Sequence, residues 1–145
     1  MSSITSRLVM GRTPAPASAS VAWGLLFMRV SAALLLLFVH GVPKLLHWDL
    51  ELQRIEDPFG LGAHLTLGLA VFAEVLCPLL LILGIHARLA CLPVLAVLAV
   101  ALGVVHPDWS LEQGQFAWLL IILFGGLALT GPGPLVVGSL RRRLL

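Results

Sequence analysis

The chain has 145 residues, of which 59% are hydrophobic and only 11% charged, and its mean hydropathy is +1.04. Soluble domains usually carry about 25% charged residues, so this composition excludes an ordinary soluble enzyme, a disordered chain and a nucleic-acid-binding protein. The net charge of +2 is too small to indicate a partner. The two cysteines form no CxxC motif and have no histidine at metal-ligand spacing, so neither a disulfide framework nor a metal site is predicted.

The first twenty residues contain Arg7, Arg12 and two prolines, and they precede the first apolar run. A cleaved signal peptide places its apolar core directly after the basic residues, whereas here that run begins near Val21 and is long enough to span a bilayer. We therefore expect a flexible cytoplasmic tail over residues 1–20. A transmembrane domain over 21–137 and a basic cytoplasmic tail over 138–145 are expected to follow.

Four apolar runs are long enough for transmembrane helices, each of which needs about 20 predominantly apolar residues. They cover residues 21–42, 64–84, 89–105 and 115–130. None of the runs shows the alternation of polar and apolar residues that is typical of a membrane β-barrel strand. The sequence thus predicts an all-α membrane protein built as a four-transmembrane-helix bundle in the lipid bilayer.

A short amphipathic helix is predicted between the first two spans. Trp48, Leu52, Ile55 and Phe59 recur at helical spacing, while charged residues occupy the other faces. Pro58 limits the C-terminal end of this helix. We expect the helix to lie on the extracytoplasmic surface, where it either shields the end of the bundle or covers a site.

The basic residues of the loops and tails predict the orientation. With the N-terminus inside, six basic residues lie on the cytoplasmic side, and two lie on the opposite side. The six are Arg7, Arg12, Arg88, Arg141, Arg142 and Arg143, and the two are Lys44 and Arg54. The positive-inside rule therefore predicts a multi-pass protein of the cell (inner) membrane with both termini in the cytoplasm.

Two charged residues, Arg29 and Glu74, interrupt the first and second spans. An ionisable side chain at mid-bilayer costs about 2.5–3.5 kcal/mol on insertion scales, so each needs a partner or water. At ~1.5 Å per residue the two lie at similar depths in antiparallel spans, which predicts an Arg29–Glu74 ion pair. Such a pair either fixes the helix register or holds a buried acid whose protonation couples to a ligand. Pro78 frees the backbone carbonyl of Glu74, giving a kink or a polar pocket.

Polar residues also gather at the extracytoplasmic ends of the spans. The five expected at this level are His40, Lys44, His64, His106 and Glu112. Each alone is typical of an interfacial side chain that reaches water, but their convergence predicts a ligand-binding site. His40 and His106 could serve as axial ligands of a haem if their rings faced each other. Because histidines at helix ends usually face water, we expect no haem.

The order of these residues resembles that of the DoxX family of membrane proteins. RVSAALLLLFVHGVPK, residues 29–44, is similar to the first span of the family, and AEVLCPLLLILGIHARLA, residues 73–90, is similar to its second span and the start of its third. With GPGP from Gly131, the resemblance covers nearly all of residues 25–135. The positions that match the polar pattern of the family are Arg29, His40, Lys44, Glu74, Arg88 and His106.

The resemblance implies a four-helix membrane bundle whose best-described relatives are membrane subunits of a thiosulfate:quinone oxidoreductase. Other relatives are linked to membrane complexes that handle thiols and oxidative stress. On this basis we expect a membrane subunit of a quinone-linked oxidoreductase or redox-stress complex. It would bind a quinone or another small apolar ligand near the extracytoplasmic side, with no covalently bound cofactor. The chain departs from its relatives in having Gln115-Phe116 where they often carry an aromatic hydroxyl.

Two other functions remain open. A non-catalytic scaffold or assembly partner fits a small bundle without a catalytic constellation. A transporter with a polar track along Arg29, Glu74 and His40 would require a homo-oligomer, because four helices are few for a pathway. In the oxidoreductase case the electron donor must come from another subunit, because the chain has no nucleotide-binding motif.

The predicted orientation can be tested by cysteine labelling in intact cells. A membrane-impermeant thiol reagent should modify a Gln53→Cys variant and leave a Ser139→Cys variant unmodified, because only the first site is expected outside. Modification of Ser139→Cys alone would reverse the predicted orientation.

Overall fold

A computed structural model describes residues 18–138 and contains five helices in that range. They are α1 (Ala19–Leu46), α2 (Trp48–Arg54), α3 (Ala63–Leu83), α4 (Ala87–Val105) and α5 (Leu111–Thr130). All except α2 are long and apolar enough to cross a membrane. The predicted all-α fold with four spans is confirmed. The expectations for residues 1–17 and 139–145, which make up most of the two predicted tails, lie outside the described residues.

The helix bounds differ from the predicted ones most clearly in α1, in α2 and in α5, which begins at Leu111, four residues before the predicted start. Helix α1 is longer than expected at both ends, starting at Ala19, where Ser18 caps it, and ending at Leu46. Helix α2 is shorter than expected, because the backbone of Ile55 is extended (φ −63°, ψ 127°) and the helix ends at Arg54. The expectation that Ile55 and Phe59 belong to this helix is therefore wrong.

The two ends of the bundle are different in construction. At one end, which we call the α2 end, α1 finishes, α2 crosses, α3 and α5 begin, and α4 finishes. At the opposite end, which we call the Arg88 end, α3 turns tightly into α4 through Gly84 (φ +72°), and α5 runs into the Gly-Pro-Gly-Pro segment. The antiparallel order of the four spans follows from these short connections.

The buried core lies in the half of the bundle nearer the Arg88 end. Its side chains come from all four spans and are mostly small or branched, which allows close approach of helices that have no hydrophobic driving force between them in lipid. They include Ala32, Ala33 and Leu36 of α1, Cys77 and Leu81 of α3, Ala90, Cys91 and Val94 of α4, and Leu120, Phe124 and Leu127 of α5. Both cysteines are free thiols within this core.

Three of the spans contain one wide π-helical turn, each ending two residues before a proline. The turns cover Leu37–Gly41, Phe72–Leu76 and Ala101–Val105, and the prolines are Pro43, Pro78 and Pro107. A proline has no backbone N–H, and its ring clashes with the carbonyl four residues earlier. Widening the preceding turn relieves that clash, and the residue before each proline then donates to the carbonyl five residues back.

Helices α1 and α3 approach each other closely where two of these π turns meet. The Cα of Gly41 packs against the backbone carbonyl of Glu74, the carbonyl that Pro78 deprives of its helical donor. A Cβ added at Gly41 would overlap that carbonyl oxygen and would lie 2.8 Å from Cγ2 of Val75. The crossing thus requires glycine at position 41 for space, since its backbone is ordinary right-handed helix.

The crossing predicts opposite effects for two glycine substitutions. Gly41→Ala forces α1 and α3 apart and should lower the free energy of unfolding by about 1–3 kcal/mol, as overpacking does in other cores. Gly68→Ala is the matched control, because Gly68 lies in a regular part of α3 with no atom within 4 Å of its would-be Cβ. Its better helix propensity should raise stability by up to ~1 kcal/mol. Unfolding in mixed detergent measures both, and equal effects would contradict the proposed crossing.

Candidate functional site

A cavity of about 760 Å³ lies in the half of the bundle nearer the α2 end. Side chains from all four spans line it, together with residues of the loop that follows α2, and most of this lining is apolar. The ionisable and amide side chains on its wall are His40, Lys44, Glu56, Glu74, His106 and Gln113. The cavity borders all three π turns, so the same prolines that widen the helices also shape its wall.

Lys44 and Glu74 form an ion pair on the cavity wall. The Nζ of Lys44 donates to Oε2 of Glu74 over 2.6 Å, and the side chains are 16% and 9% exposed. It is the only ion pair within 4.0 Å among residues 18–138. A pair this short and this sheltered is held strongly, because little water screens it.

The two histidines of the cavity each stack on an aromatic ring. His40 lies against Phe116, with ring centroids 5.6 Å apart and an interplanar angle of 28°. His106 lies nearly parallel to Trp109 at 3.9 Å and 4°. These stacks fix the imidazole planes and leave the polar ring edges as the groups available for hydrogen bonds. The structure therefore brings His40, Lys44, Glu74 and His106 together around one cavity.

Two of the five residues expected at this site do not line the cavity. His64 lies in the first turn of α3 and is exposed, and Glu112 lies exposed in the first turn of α5. The carboxylate of Glu112 stabilises α5, because a negative charge interacts favourably with the positive end of the helix dipole at the N-terminus. Ser110 and Gln113 complete a reciprocal capping box there, and Gln113 is the residue of this turn that reaches the cavity wall.

The predicted Arg29–Glu74 ion pair is wrong, although both residues are buried as expected. The guanidinium of Arg29 donates to the backbone carbonyls of Pro132 (2.5 Å) and Leu135 (2.9 Å), at the Arg88 end. A helical Cα–Cβ bond tilts toward the N-terminus of its helix. The Arg29 side chain in α1 therefore extends toward the Arg88 end, and that of Glu74 in the antiparallel α3 extends toward the α2 end. Equal backbone depth does not bring such side chains together.

Arg88 is a second arginine that binds backbone carbonyls beside the Gly-Pro segment. Its Nη2 lies 3.4 Å from the carbonyl oxygens of Leu129 and Thr130, in the last turn of α5. A cation at that place satisfies helix carbonyls that lack donors and interacts favourably with the helix dipole. A Cβ on Gly131 would lie 3.0 Å from Nε of Arg88, so glycine makes room for the guanidinium. Arg88 thus holds the last turn of α5, and Arg29 holds the chain that leaves it.

The loop after α2 supplies site residues that the sequence analysis did not identify. Its residues 55–61, which we call the 55–61 loop, line the cavity except for Asp57 and Gly60. The carboxylate of Asp57 accepts hydrogen bonds from the N–H groups of Leu61 and Gly62 and from Oγ1 of Thr66. The sequence signal for this loop was Asp57-Pro58 followed by Gly60, a combination that favours a turn bound by the aspartate side chain.

Hydrogen bonds hold the pKa of Asp57 below its ordinary value, those from the Gly62 N–H and the Thr66 hydroxyl being the main causes. A lowered folded-state pKa means that the contribution of this carboxylate is fully present above its ordinary pKa. The contribution is lost as the pH falls through the lowered pKa, so Asp57 is ionised and bound at neutral pH.

The side chains of residues 18–138 include no cluster of three or more His, Cys, Asp or Glu residues that could hold a metal ion. What the cavity offers instead is two oriented imidazoles, one ion pair and a large apolar wall. Such a wall, with a few convergent polar groups, is typical of sites for small, largely apolar molecules.

A comparison with known families matches the segment that carries most of these residues. A family model described as DoxX matches residues 24–107, which is more than half of the chain and includes both π turns that meet at Gly41 and Glu74. No curated protein and no solved structure matches the chain. Given the extent of the family match and the four membrane-spanning helices, the chain belongs to the DoxX family of membrane proteins.

Proposed function

We propose that this chain is a membrane subunit of a quinone-linked redox complex and that the cavity binds the ring of a quinone. The observation that carries the proposal is the meeting, in one mostly apolar cavity, of two stacked imidazoles and the Lys44–Glu74 pair. The volume of about 760 Å³ lies within the range of roughly 300–1,000 Å³ that is common for small-molecule sites.

The chemistry of the cavity wall suits a quinone. A quinone ring is flat and largely apolar and carries carbonyl oxygens on opposite edges, so it needs aromatic packing and hydrogen-bond donors at its rim. Phe116 and Trp109 supply aromatic faces, and the ring N–H groups of His40 and His106 can donate to carbonyl oxygens. An isoprenoid tail would follow the apolar lining toward Leu69, which is 49% exposed on the flank of the bundle.

A bound quinone would supply the two-electron redox chemistry, and the chain would supply binding and proton exchange. His40 is the group suited to exchange protons with a bound quinone, because an imidazole can both donate and accept a proton. Glu74, paired with Lys44, adds a carboxylate beside it, and the exposed Glu56 gives the cavity wall a carboxylate in contact with solvent. Electrons would come from another subunit, as the sequence already required.

Arg29 and Arg88 favour a scaffold as the second candidate function. Both bind backbone carbonyls in or next to the Gly-Pro segment, and neither lines the cavity. Two of the residues that match the polar pattern of the family therefore stabilise the fold and do not contact a ligand in the cavity. The same geometry weakens the transport hypothesis, because the track from Arg29 to Glu74 and His40 is interrupted. A scaffold would keep its partner binding when the cavity residues are changed.

Histidine substitutions test quinone binding. His40→Ala and His106→Ala should each weaken quinone affinity by about tenfold, the usual effect of losing one hydrogen bond and its aromatic packing. His64→Ala is the matched control and should leave affinity unchanged, because His64 belongs to the same bundle end but does not line the cavity. The measurement is quinone retained by the purified protein, by extraction and mass spectrometry, together with titration by tryptophan fluorescence.

Two results would contradict the proposed function. One is that the purified parent protein neither retains nor binds any quinone. The other is that all three histidine variants bind quinone equally well, which would show that quinone does not bind in the cavity.

A double-mutant cycle tests the ion pair. Lys44→Met leaves the sheltered Glu74 carboxylate without its partner and should lower the free energy of unfolding by about 3 kcal/mol. Adding Glu74→Gln removes the remaining charge and should recover most of that loss. The control cycle joins Arg29→Met to Glu74→Gln, whose effects should simply add because the two side chains face opposite ends.

Activity measured on the same variants separates the two candidate functions. A scaffold recovers partner binding in the stable Lys44→Met, Glu74→Gln double variant, whereas a proton-handling site stays inactive even though the protein is folded. Additive effects at Lys44 and Glu74, or coupling between Arg29 and Glu74, would contradict the assigned contacts.

A further inference from the structure

The 55–61 loop covers the cavity at the α2 end with side chains that have little support of their own. Phe59 and Leu61 both line the cavity, yet they are 61% and 48% exposed. Gly60 (φ +65°) and Gly62 (φ +91°) adopt positive φ angles beside them, a conformation that glycine adopts with little cost. Segments with few buried apolar contacts open locally at low free-energy cost unless specific bonds hold them.

Asp57 supplies such bonds, and it supplies them from the middle of the loop. Its Oδ2 accepts from the Gly62 N–H at 2.7 Å, and its Oδ1 accepts from the Leu61 N–H at 3.0 Å and from Oγ1 of Thr66 at 2.8 Å. Thr66 belongs to the first turns of α3 and lines the cavity itself. One carboxylate therefore ties the loop to the rigid wall that it covers.

We propose that Asp57 is a positioning residue that holds the 55–61 loop over the cavity and thereby limits entry from the α2 end. Asp57 does not line the cavity, so it acts through its neighbours Glu56 and Pro58, which do. The identity of the molecule that enters rests on the proposed function. The closure of the cavity by the 55–61 loop does not rest on that function, because it follows from hydrogen bonds within the chain.

The closure also bears on how a ligand would reach the cavity. Cavity residues on α3 and α4 extend to the flank of the bundle, where Leu69 and Phe72 are exposed by 49% and 44%. With the 55–61 loop held down, that flank is the less obstructed route, and it opens toward lipid. Releasing Asp57 should therefore open the cavity mainly to water-soluble molecules.

Cysteine accessibility tests this closure without any ligand. Ala70 lines the cavity one helical turn beyond Thr66 and is 8% exposed, so an Ala70→Cys variant reports entry under the loop. The protein is held in lipid nanodiscs and treated with a charged maleimide that does not dissolve in the bilayer. The native thiols of Cys77 and Cys91 are 1% and 0% exposed, and the parent chain without the new cysteine measures their background.

Adding Asp57→Ala should accelerate labelling of Ala70→Cys by about tenfold or more, because three hydrogen bonds to a charged group are lost together. Asp57→Asn should give an intermediate rate, because an amide oxygen still accepts some of these bonds. Asp49→Ala is the matched control on α2 and should leave the rate unchanged, since none of the hydrogen bonds that tie the 55–61 loop to α3 involves Asp49. The unfolding midpoint of each variant is measured alongside, and faster labelling at a temperature where the variant remains folded distinguishes local opening of the loop from general destabilisation.

Equal labelling with and without Asp57→Ala would overturn the proposal, and so would equal acceleration by Asp49→Ala. If Asp57→Ala does not fold, Thr66→Val removes a single donor, and its labelling rate decides in the same way. The outcome is separate from the proposed function. If Asp57→Ala accelerates labelling but the protein binds no quinone, the closure is supported and the quinone site is contradicted. If labelling is unchanged but the protein binds quinone, the closure is contradicted and the quinone site is supported.

Discussion

The structure depends on how a helix inside a bilayer tolerates proline. No water is available there to bind a carbonyl that has lost its donor, so the backbone has to satisfy the carbonyl locally or shield it. One wide π turn precedes each of Pro43, Pro78 and Pro107. At Pro78 the freed carbonyl of Glu74 packs on Gly41. The cavity borders all three of these turns.

The two basic residues of α1 have different roles because of where their side chains can reach. Both extend toward the N-terminus of the helix. From Arg29 that direction leads to the carbonyls of Pro132 and Leu135, which accept hydrogen bonds from the guanidinium. These bonds hold the chain that follows α5. From Lys44 it leads into the bundle, toward Glu74, whose side chain extends the opposite way from the antiparallel α3. One rule of helix geometry therefore produces one arginine anchor and one ion pair.

The bundle is thus divided into a packed half and an open half, and this division matters for either candidate function. Small residues and two arginine anchors rigidify the Arg88 end, and a rigid frame is what holds site residues in place. The α2 end holds the oriented histidines and the ion pair beneath the 55–61 loop. A redox subunit would use the open half for its ligand and the packed half for stability, whereas a scaffold would depend mainly on the packed half.

The sequence by itself determined the four spans, because apolar runs of that length allow few other structures, and it gathered His40, Lys44 and His106 at one level from helix length alone. It also indicated that Pro78 frees the carbonyl of Glu74. Which charged residue pairs with Glu74 was decided only by the tertiary structure. Contact between two side chains depends on their direction and on the rotation of each helix as well as on depth in the bilayer. Proline alone did not decide the π turns either, since Pro93 lies in regular α-helix. At Pro78 the freed carbonyl packs on Gly41 of the neighbouring helix, and the sequence of a single span does not contain that neighbour.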